Sequence, residues 1–105
     1  GNMRICVHFD NGHGLVNLYR GNDEYIIAAL YVQPSDRKRG YGTELLHSAI
    51  SEFRYENLFA RGQLKLVICA PRGSWMEEWF KKEGFQFYHD DAVDEHYVWM
   101  IHDDK

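Results

Sequence analysis

Three consecutive basic side chains and two glycines stand together at residues 37–42, which read Arg-Lys-Arg-Gly-Tyr-Gly. This combination suits the binding of a polyphosphate. Gly40 and Gly42 allow the backbone to approach a ligand closely, and a helix that begins here would offer unpaired N–H groups and the positive end of its dipole to an anion. The cations would add attraction for phosphate. The segment is therefore a candidate anion-binding loop, although a basic run before a helix is also typical of a solvated surface.

An apolar strand and an amphipathic helix flank this loop. Residues 25–32 form a nearly continuous apolar run, which predicts a central strand that is buried on both faces. After the loop, apolar residues recur at helical spacing and predict a helix that ends between Asn57 and Gly62. The apolar positions of this helix are Leu45, Leu46, Ala49, Ile50 and Phe53.

Further strands are predicted on both sides of this unit. Residues 3–9 and 15–19 read as strands separated by a short turn, and with residues 25–32 they predict an antiparallel meander. Residues 64–70 predict a strand that stops at Pro71.

The last third of the chain predicts a helix and a hairpin. Ser74 and Glu77 have the spacing of a capping box, and Gly84 is expected to end the helix as a left-handed C-cap. Residues 85–89 and 95–102 read as the two strands of a hairpin. The predicted order of elements is β-β-β-α-β-α-β-β. The large aromatic side chains of this region are expected mainly in the core or at an interface, and they are Trp75, Trp79, Phe80, Phe85, Phe87 and Trp99.

Length and composition limit the class of protein. The 105 residues suffice for a single domain over residues 1–105, with Gly1 interpreted as a tag remnant, and 45% apolar against 27% charged residues is typical of a globular protein. No apolar run has the length of a membrane span. The net charge is −4, and residues 90–105 alone carry −5. An acidic balance argues against a nucleic-acid partner.

Cysteine and histidine residues are placed without a metal-binding pattern. Cys6 and Cys69 stand among apolar neighbours, which predicts buried thiols in a cytoplasmic protein. His89, His96 and His102 have aspartates nearby, but they lack both a fixed helical spacing and cysteine partners. A polar hairpin surface is therefore predicted there, with no metal site.

The loop and its surroundings resemble the GNAT superfamily of N-acetyltransferases. The phosphate signature of that family, Arg/Gln-x-x-Gly-x-Gly/Ala, matches residues 37–42, which follow Leu-Tyr-Val-Gln-Pro. Residues 79–85, Trp-Phe-Lys-Lys-Glu-Gly-Phe, are similar to the aromatic helix end of the family. The resemblance covers roughly residues 3–102. Members of the family usually begin with a strand and two helices that help to form the acceptor cleft, and the resemblance does not include these elements.

This resemblance implies an α/β (α+β) domain with a mixed, mostly antiparallel sheet. Strands 25–32 and 64–70 would splay apart and form an acyl-CoA cleft, with acetyl-CoA as the cosubstrate and an amine of unknown identity as the acceptor. Leu30, Tyr31 and Val32 would meet the pantetheine arm. The pyrophosphate would be held mainly by the backbone of the loop, which comprises Arg37, Lys38, Arg39, Gly40, Tyr41, Gly42 and Thr43.

The same resemblance leaves the proton-transfer groups unassigned. The family's usual base and acid positions fall near Ile26 and at Phe80, and neither side chain can transfer a proton. Substitutes in the sequence are Glu24, Tyr31, Ser74, His8 and His47, and Cys69 is a candidate for acetylation although it is expected in the core. Ser74 is also interpretable as a helix cap, His47 as a solvent-facing residue and Tyr31 as a packing residue.

Two functional hypotheses follow. The first is an N-acetyltransferase in which the amine attacks acetyl-CoA directly in a ternary complex. The alternative is a non-catalytic module that binds CoA or another protein. If the missing front of the fold leaves aromatic side chains exposed, a homodimer could cover them.

Overall fold

The computed structural model describes residues 4–91, 93 and 95–103, with side chains from Val7 onward. Gly1, Asp94, Asp104, Lys105 and the side chain of Cys6 lie outside that part. The elements occur in the predicted order. They are β1 (Arg4–Asp10), β2 (Gly14–Arg20), β3 (Glu24–Val32), a 3₁₀ turn (Pro34–Asp36), α1 (Tyr41–Phe59), β4 (Lys65–Pro71), α2 (Trp75–Lys82), β5 (Gln86–Asp91) and β6 (His96–His102).

All six strands of the described chain belong to one sheet, in the order β1-β2-β3-β4-β6-β5. The first three strands form the predicted meander, and β5 and β6 form the predicted hairpin. Only β3 and β4 run parallel; the other neighbours are antiparallel. The mixed, mostly antiparallel sheet is therefore confirmed.

The parallel pair is incomplete. Residues Glu24 to Ile27 of β3 pair with Lys65 to Ile68 of β4, and the pairing stops there although both strands continue. The prediction that β3 is buried on both faces is wrong for this reason. Tyr25 and Ile27 are buried, whereas Ala28 and Tyr31 are exposed because β4 has moved away from that part of the strand.

Both helices contribute to one core and lie side by side. All five apolar positions predicted for the first helix are buried, and Phe80 of α2 is 1% exposed in the same cluster. Each of the Leu, Ile and Phe side chains in this set contributes roughly 1.5–3 kcal/mol on burial, and Ala49 contributes less. His47 of α1 is hydrogen-bonded to Glu83 just after α2. The end of α1 is tied to β4 by the buried Asn57, whose Oδ1 accepts a hydrogen bond of 2.9 Å from the N–H of Leu64.

The sequence predicts the C-terminal end of α2 correctly but the N-terminal end incorrectly. Gly84 has φ +98°, and the N–H groups of Gly84 and Phe85 donate to Lys81 and Phe80 at 3.1 and 2.9 Å, which is a complete Schellman motif. The capping box is wrong. Glu77 accepts its hydrogen bond from the N–H of Gly73, and within the described chain the buried Oγ of Ser74 has no hydrogen-bond partner.

Cys69 is exposed, which contradicts the prediction of a core thiol. Its neighbours Ile68 and Ala70 point into the core, so strand alternation turns Cys69 to the opposite face. Among the predicted core or interface aromatics, Phe80, Phe85 and Trp99 are buried, but Trp75 and Phe87 are largely exposed.

The described residues provide neither a metal-ligand cluster nor a membrane-spanning helix. Across residues 4–91, 93 and 95–103, no three histidine, cysteine, aspartate or glutamate side chains are grouped to hold an ion. No helix of that part of the chain is both long and apolar enough to cross a bilayer.

Gly14 offers a direct test of the contact between β2 and the end of β3. A Cβ atom at this position would lie 2.0 Å from the carbonyl oxygen of Tyr31, so Gly14→Ala must displace one of the two strands. We expect a loss of about 1–3 kcal/mol in the free energy of unfolding, measured by urea denaturation. Gly62→Ala is the matched control because a Cβ there meets nothing within 4 Å. Equal effects of the two changes would contradict the register of β2 and β3.

Candidate functional site

Beyond the last β3–β4 pair the strands diverge and leave a cleft of about 1000 Å³, here called the β3–β4 cleft. Strand β3 forms one wall, the end of β4 and helix α2 form the other, and the glycine loop with the start of α1 closes one end. Residues that line it include Ala28, Leu30, Tyr31, Val32, Arg37, Lys38, Gly40, Gly42, Thr43, Cys69, Trp75, Trp79, Lys82 and His96.

The glycine loop has the backbone of an anion-binding turn. Lys38 and Gly40 have φ values of +67° and +86°. Gly40 is the N-cap of α1 and provides no side-chain cap, so the first N–H groups of the helix stay available to a ligand. A Cβ on Gly40 would meet nothing within 4 Å. The space that an anion needs therefore lies open beside the helix N-terminus.

Arg37 fastens this loop to β3. Its Nε donates a hydrogen bond of 3.1 Å to the carbonyl oxygen of Val32, and its guanidinium lies 5.8 Å from the centroid of the Tyr31 ring. Tyr31 is 47% exposed, so the prediction of a simple packing role for it is wrong: its ring stands at the cleft wall. Arg37 thus brings a positive charge to the cleft while its side chain also positions the loop.

His13, in the β1–β2 turn, holds the loop from outside. Its ring stacks on Tyr41 with a centroid distance of 3.6 Å, its Nδ1 lies 3.0 Å from Oδ2 of Asp36, and its carbonyl oxygen accepts a hydrogen bond of 2.8 Å from the N–H of Gln33. These contacts hold both ends of the segment that connects β3 to α1. Sequence reasoning missed His13 because only folding brings the turn and the loop together.

The structure assembles most of the residues that the family resemblance implied for cofactor binding. Of the ten, only Arg39 and Tyr41 are not among the lining residues of the cleft. Arg39 is exposed, and Tyr41 is stacked on His13.

Few of the candidate proton-transfer groups reach the cleft. Tyr31 lines it, but Glu24 lies at the opposite end of β3, next to Lys65 of β4. The hydroxyl group of Ser74 is buried. His8 is hydrogen-bonded to Asn17 in the first hairpin. Cys69, the candidate for acetylation, also lines the cleft, and the structure adds one group that sequence reasoning did not place here, His96.

His47 lies on a separate groove between α1 and β1. Its interpretation as a solvent-facing helix residue agrees with its exposed side chain, although the ring is hydrogen-bonded to Glu83. This groove has a volume of about 830 Å³ and is lined by Phe9, Ser48, Tyr55 and other α1 side chains.

An ion pair marks the end of the β3–β4 pair that is remote from the cleft. Nζ of Lys65 lies 2.8 Å from Oδ2 of Asp23, and the N–H of Lys65 donates to the carbonyl oxygen of Asp23 at 3.1 Å. The hydrogen bond and charge of Lys65 lower the pKa of Asp23, and the hydrogen bond to Asp23 raises the pKa of Lys65. The pair therefore contributes stability at neutral pH, which is lost below about pH 4 as the carboxylate is protonated.

Comparison with known families identifies the class of this domain. The model of the acetyltransferase (GNAT) family matches residues 4–66, which include β1 to β3, the glycine loop and α1. The chain belongs to this family, as the loop signature predicted. None of the curated proteins matches the chain.

Solved structures share the fold at low sequence identity. The PaiA N-acetyltransferase of Thermoplasma acidophilum in complex with coenzyme A is 15% identical with a TM-score of 0.69, over 87% of this chain and 54% of that one. The ribosomal-protein-S18-alanine N-acetyltransferase of Escherichia coli is 16% identical with a TM-score of 0.63, over 88% and 62%. The N-acetylglutamate synthase of Neisseria gonorrhoeae, complexed with coenzyme A and L-arginine, is 22% identical with a TM-score of 0.64, over 90% and 23%. The chain thus spans about half the length of the first of these enzymes.

The contacts of His13 predict a role in holding the loop. His13→Ala should lower the free energy of unfolding by about 1 kcal/mol and speed the amide exchange of residues 33–43, because the stack on Tyr41 and the contact with Asp36 are lost. Hydrogen exchange with mass spectrometry measures this. His8→Ala, in the same hairpin, is the control and should leave exchange of the loop unchanged. Unchanged exchange of residues 33–43 in His13→Ala would contradict the role.

Proposed function

We propose that this chain binds acetyl-CoA in the β3–β4 cleft and transfers the acetyl group to an amine. The observation that carries the proposal is the continuity of the open strand edge with the glycine loop. β3 has no β4 partner in the register after Ile27, it ends five residues later at Val32, and the 3₁₀ turn then connects it to the loop. Two of the similar structures are complexes with coenzyme A. The family membership of residues 4–66 supports the same class of reaction.

The cleft fits the chemical parts of such a ligand. A pyrophosphate is matched by the first N–H groups of α1 and by Lys38 and Arg37 at the cleft wall. The amide groups of a pantetheine arm are matched by the backbone edge that β3 presents where it has left β4, since such an edge offers unpaired donors and acceptors. Leu30 and Val32 supply apolar contacts along that path.

The transfer is a direct displacement. The amine nitrogen attacks the thioester carbonyl carbon, the C–N bond forms, the C–S bond breaks, and coenzyme A leaves as the thiolate while the amine proton passes to solvent. A thiol pKa of about 8.5 makes the thiolate an adequate leaving group without an acid. The attacking amine must be neutral, and an amine with a pKa near 10.4 is neutral in only about one molecule in two thousand at pH 7.

Binding of coenzyme A should depend on the charge at position 40. Gly40→Asp and Gly40→Asn both place a side chain of nearly the same size at a positive φ that Asp and Asn tolerate. Only the aspartate adds a negative charge beside the phosphates. We expect coenzyme A to bind Gly40→Asp at least about tenfold more weakly than Gly40→Asn, measured by calorimetry and by thermal stabilisation. Wild-type protein that shows no stabilisation with millimolar coenzyme A would refute the proposal.

The pH profile tests how the amine is activated. Without a base in the cleft, kcat/KM for an alkyl amine should rise about tenfold per pH unit between pH 7 and 9, in step with the neutral fraction of the amine. A thiol-release assay across this range measures it. If kcat/KM instead stops rising while the amine is still mostly protonated, a side chain of the cleft such as His96 acts as the base.

A second candidate function is a CoA-binding module without turnover. The observation in its favour is that Ile26 and Phe80 occupy the positions where the family resemblance puts the base and the acid, and that Phe80 is buried. Coenzyme A binding without thiol release across a panel of primary amines would favour this function. The exposed Cys69 suits a reducing compartment, and we propose the cytoplasm for either function.

A further inference from the structure

Helix α2 presents a stripe of three side chains to the β3–β4 cleft. Trp75, Trp79 and Lys82 are four and three residues apart, and all three line the cleft. The two indole rings are stacked, with centroids 5.6 Å apart and planes 23° apart. Trp75 is the outer ring of the pair and is 72% exposed. A large indole held by a neighbouring ring, with its other face open, is a platform for a planar ligand.

This stripe stands next to the glycine loop. A Cβ on Gly42 would lie 3.7 Å from Cη2 of Trp79, so the inner indole touches the start of α1 where the phosphates are proposed to bind. Trp75 lies four residues earlier on α2, about 6 Å further along the helix axis. A ring linked to those phosphates through a sugar can therefore reach the open face of Trp75.

The charges along the stripe favour an anion. Lys81 on the outer side of α2 is engaged by Glu78, with Nζ 3.0 Å from Oε1. Glu78 also lines the cleft, and this pairing offsets its negative charge. Lys82 on the same turn faces the cleft instead, where it adds to the positive charge of Lys38.

We propose that α2 holds the nucleotide end of coenzyme A: Trp75 stacks on the adenine ring and Lys82 binds the 3′-phosphate. This inference rests on the proposed function and extends it to a part of the ligand that the glycine loop does not contact. In this arrangement the pantetheine arm extends from the pyrophosphate along β3, and the adenosine extends in the other direction along α2. Stacking of a base on an aromatic side chain tolerates the solvent exposure that Trp75 has.

Three ligands separate these contacts: coenzyme A, 3′-dephospho-CoA, which lacks only the 3′-phosphate, and 4′-phosphopantetheine, which lacks the nucleotide. Trp75→Ala should weaken coenzyme A and dephospho-CoA about tenfold and leave 4′-phosphopantetheine within about twofold of wild type. Trp75→Phe should restore most of the loss because it keeps a ring. Calorimetry gives the affinities, and quenching of indole fluorescence on binding of coenzyme A but not 4′-phosphopantetheine gives an independent signature.

Lys82→Gln should weaken coenzyme A about five- to tenfold and leave dephospho-CoA unchanged. Arg61→Gln is the control, because it removes the same single positive charge from an exposed residue outside the cleft lining, and it should change neither affinity.

Several results would overturn the inference. If Trp75→Ala weakens all three ligands equally, Trp75 only supports the shape of the cleft. If it leaves coenzyme A affinity intact and raises KM for the amine, Trp75 belongs to the acceptor site. Wild-type protein that binds none of the three ligands refutes the proposed function itself, which is distinguishable from wild-type protein that binds coenzyme A with Trp75→Ala unaffected.

Discussion

The early end of the parallel pairing between β3 and β4 is the constraint on which the site depends. Four residue pairs join the strands, from Glu24 and Lys65 to Ile27 and Ile68. On its outer side each strand has a longer partner: β3 pairs with β2 up to Val32, and β4 pairs with β6 along its whole length. The strands can therefore part without losing their place in the sheet, and the Asp23–Lys65 ion pair strengthens the end that stays closed.

Everything else at the site follows from where this opening lies. The 3₁₀ turn and the glycine loop continue directly from the open end of β3, so the N-terminus of α1 is set beside the gap. The β1–β2 turn then fixes the loop through His13, and close packing at Gly14 brings that turn against β3. Helix α2 closes the other wall because Phe80 and the Schellman turn at Gly84 bind its end to the core.

Much of this could be predicted from the sequence, because local patterns determine it. The order of elements, the buried stripe of α1 and the Gly84 cap follow from periodicity and from glycine conformation. The glycine loop was predicted because its signature is continuous in the chain. Tertiary effects could not be predicted in the same way. Cys69 resembles a core residue in its apolar run, but strand alternation turns it away from the core and the divergence of β3 leaves it uncovered.

The sequence predicted the candidate catalytic groups less well than it predicted the cofactor-binding loop. Glu24 is the first residue of β3 and lies at its closed end, whereas His96 comes from a distant strand and lines the cleft. The capping-box spacing at Ser74 did not predict that Glu77 reaches back to Gly73 instead. For Glu24 and His96 the distance along the chain differs from the distance in the fold, and only the fold determines which groups can meet a ligand.

The most direct measurement is a titration of the ¹⁵N-labelled protein with coenzyme A, followed by NMR amide shifts. Binding in the β3–β4 cleft predicts the largest changes at residues 28–32 and at the loop and first turn of α1, residues 37–43. The α1–β1 groove, with Ser48 and Tyr55, should change little. Shifts confined to that groove, or no shifts at millimolar coenzyme A, would contradict the account.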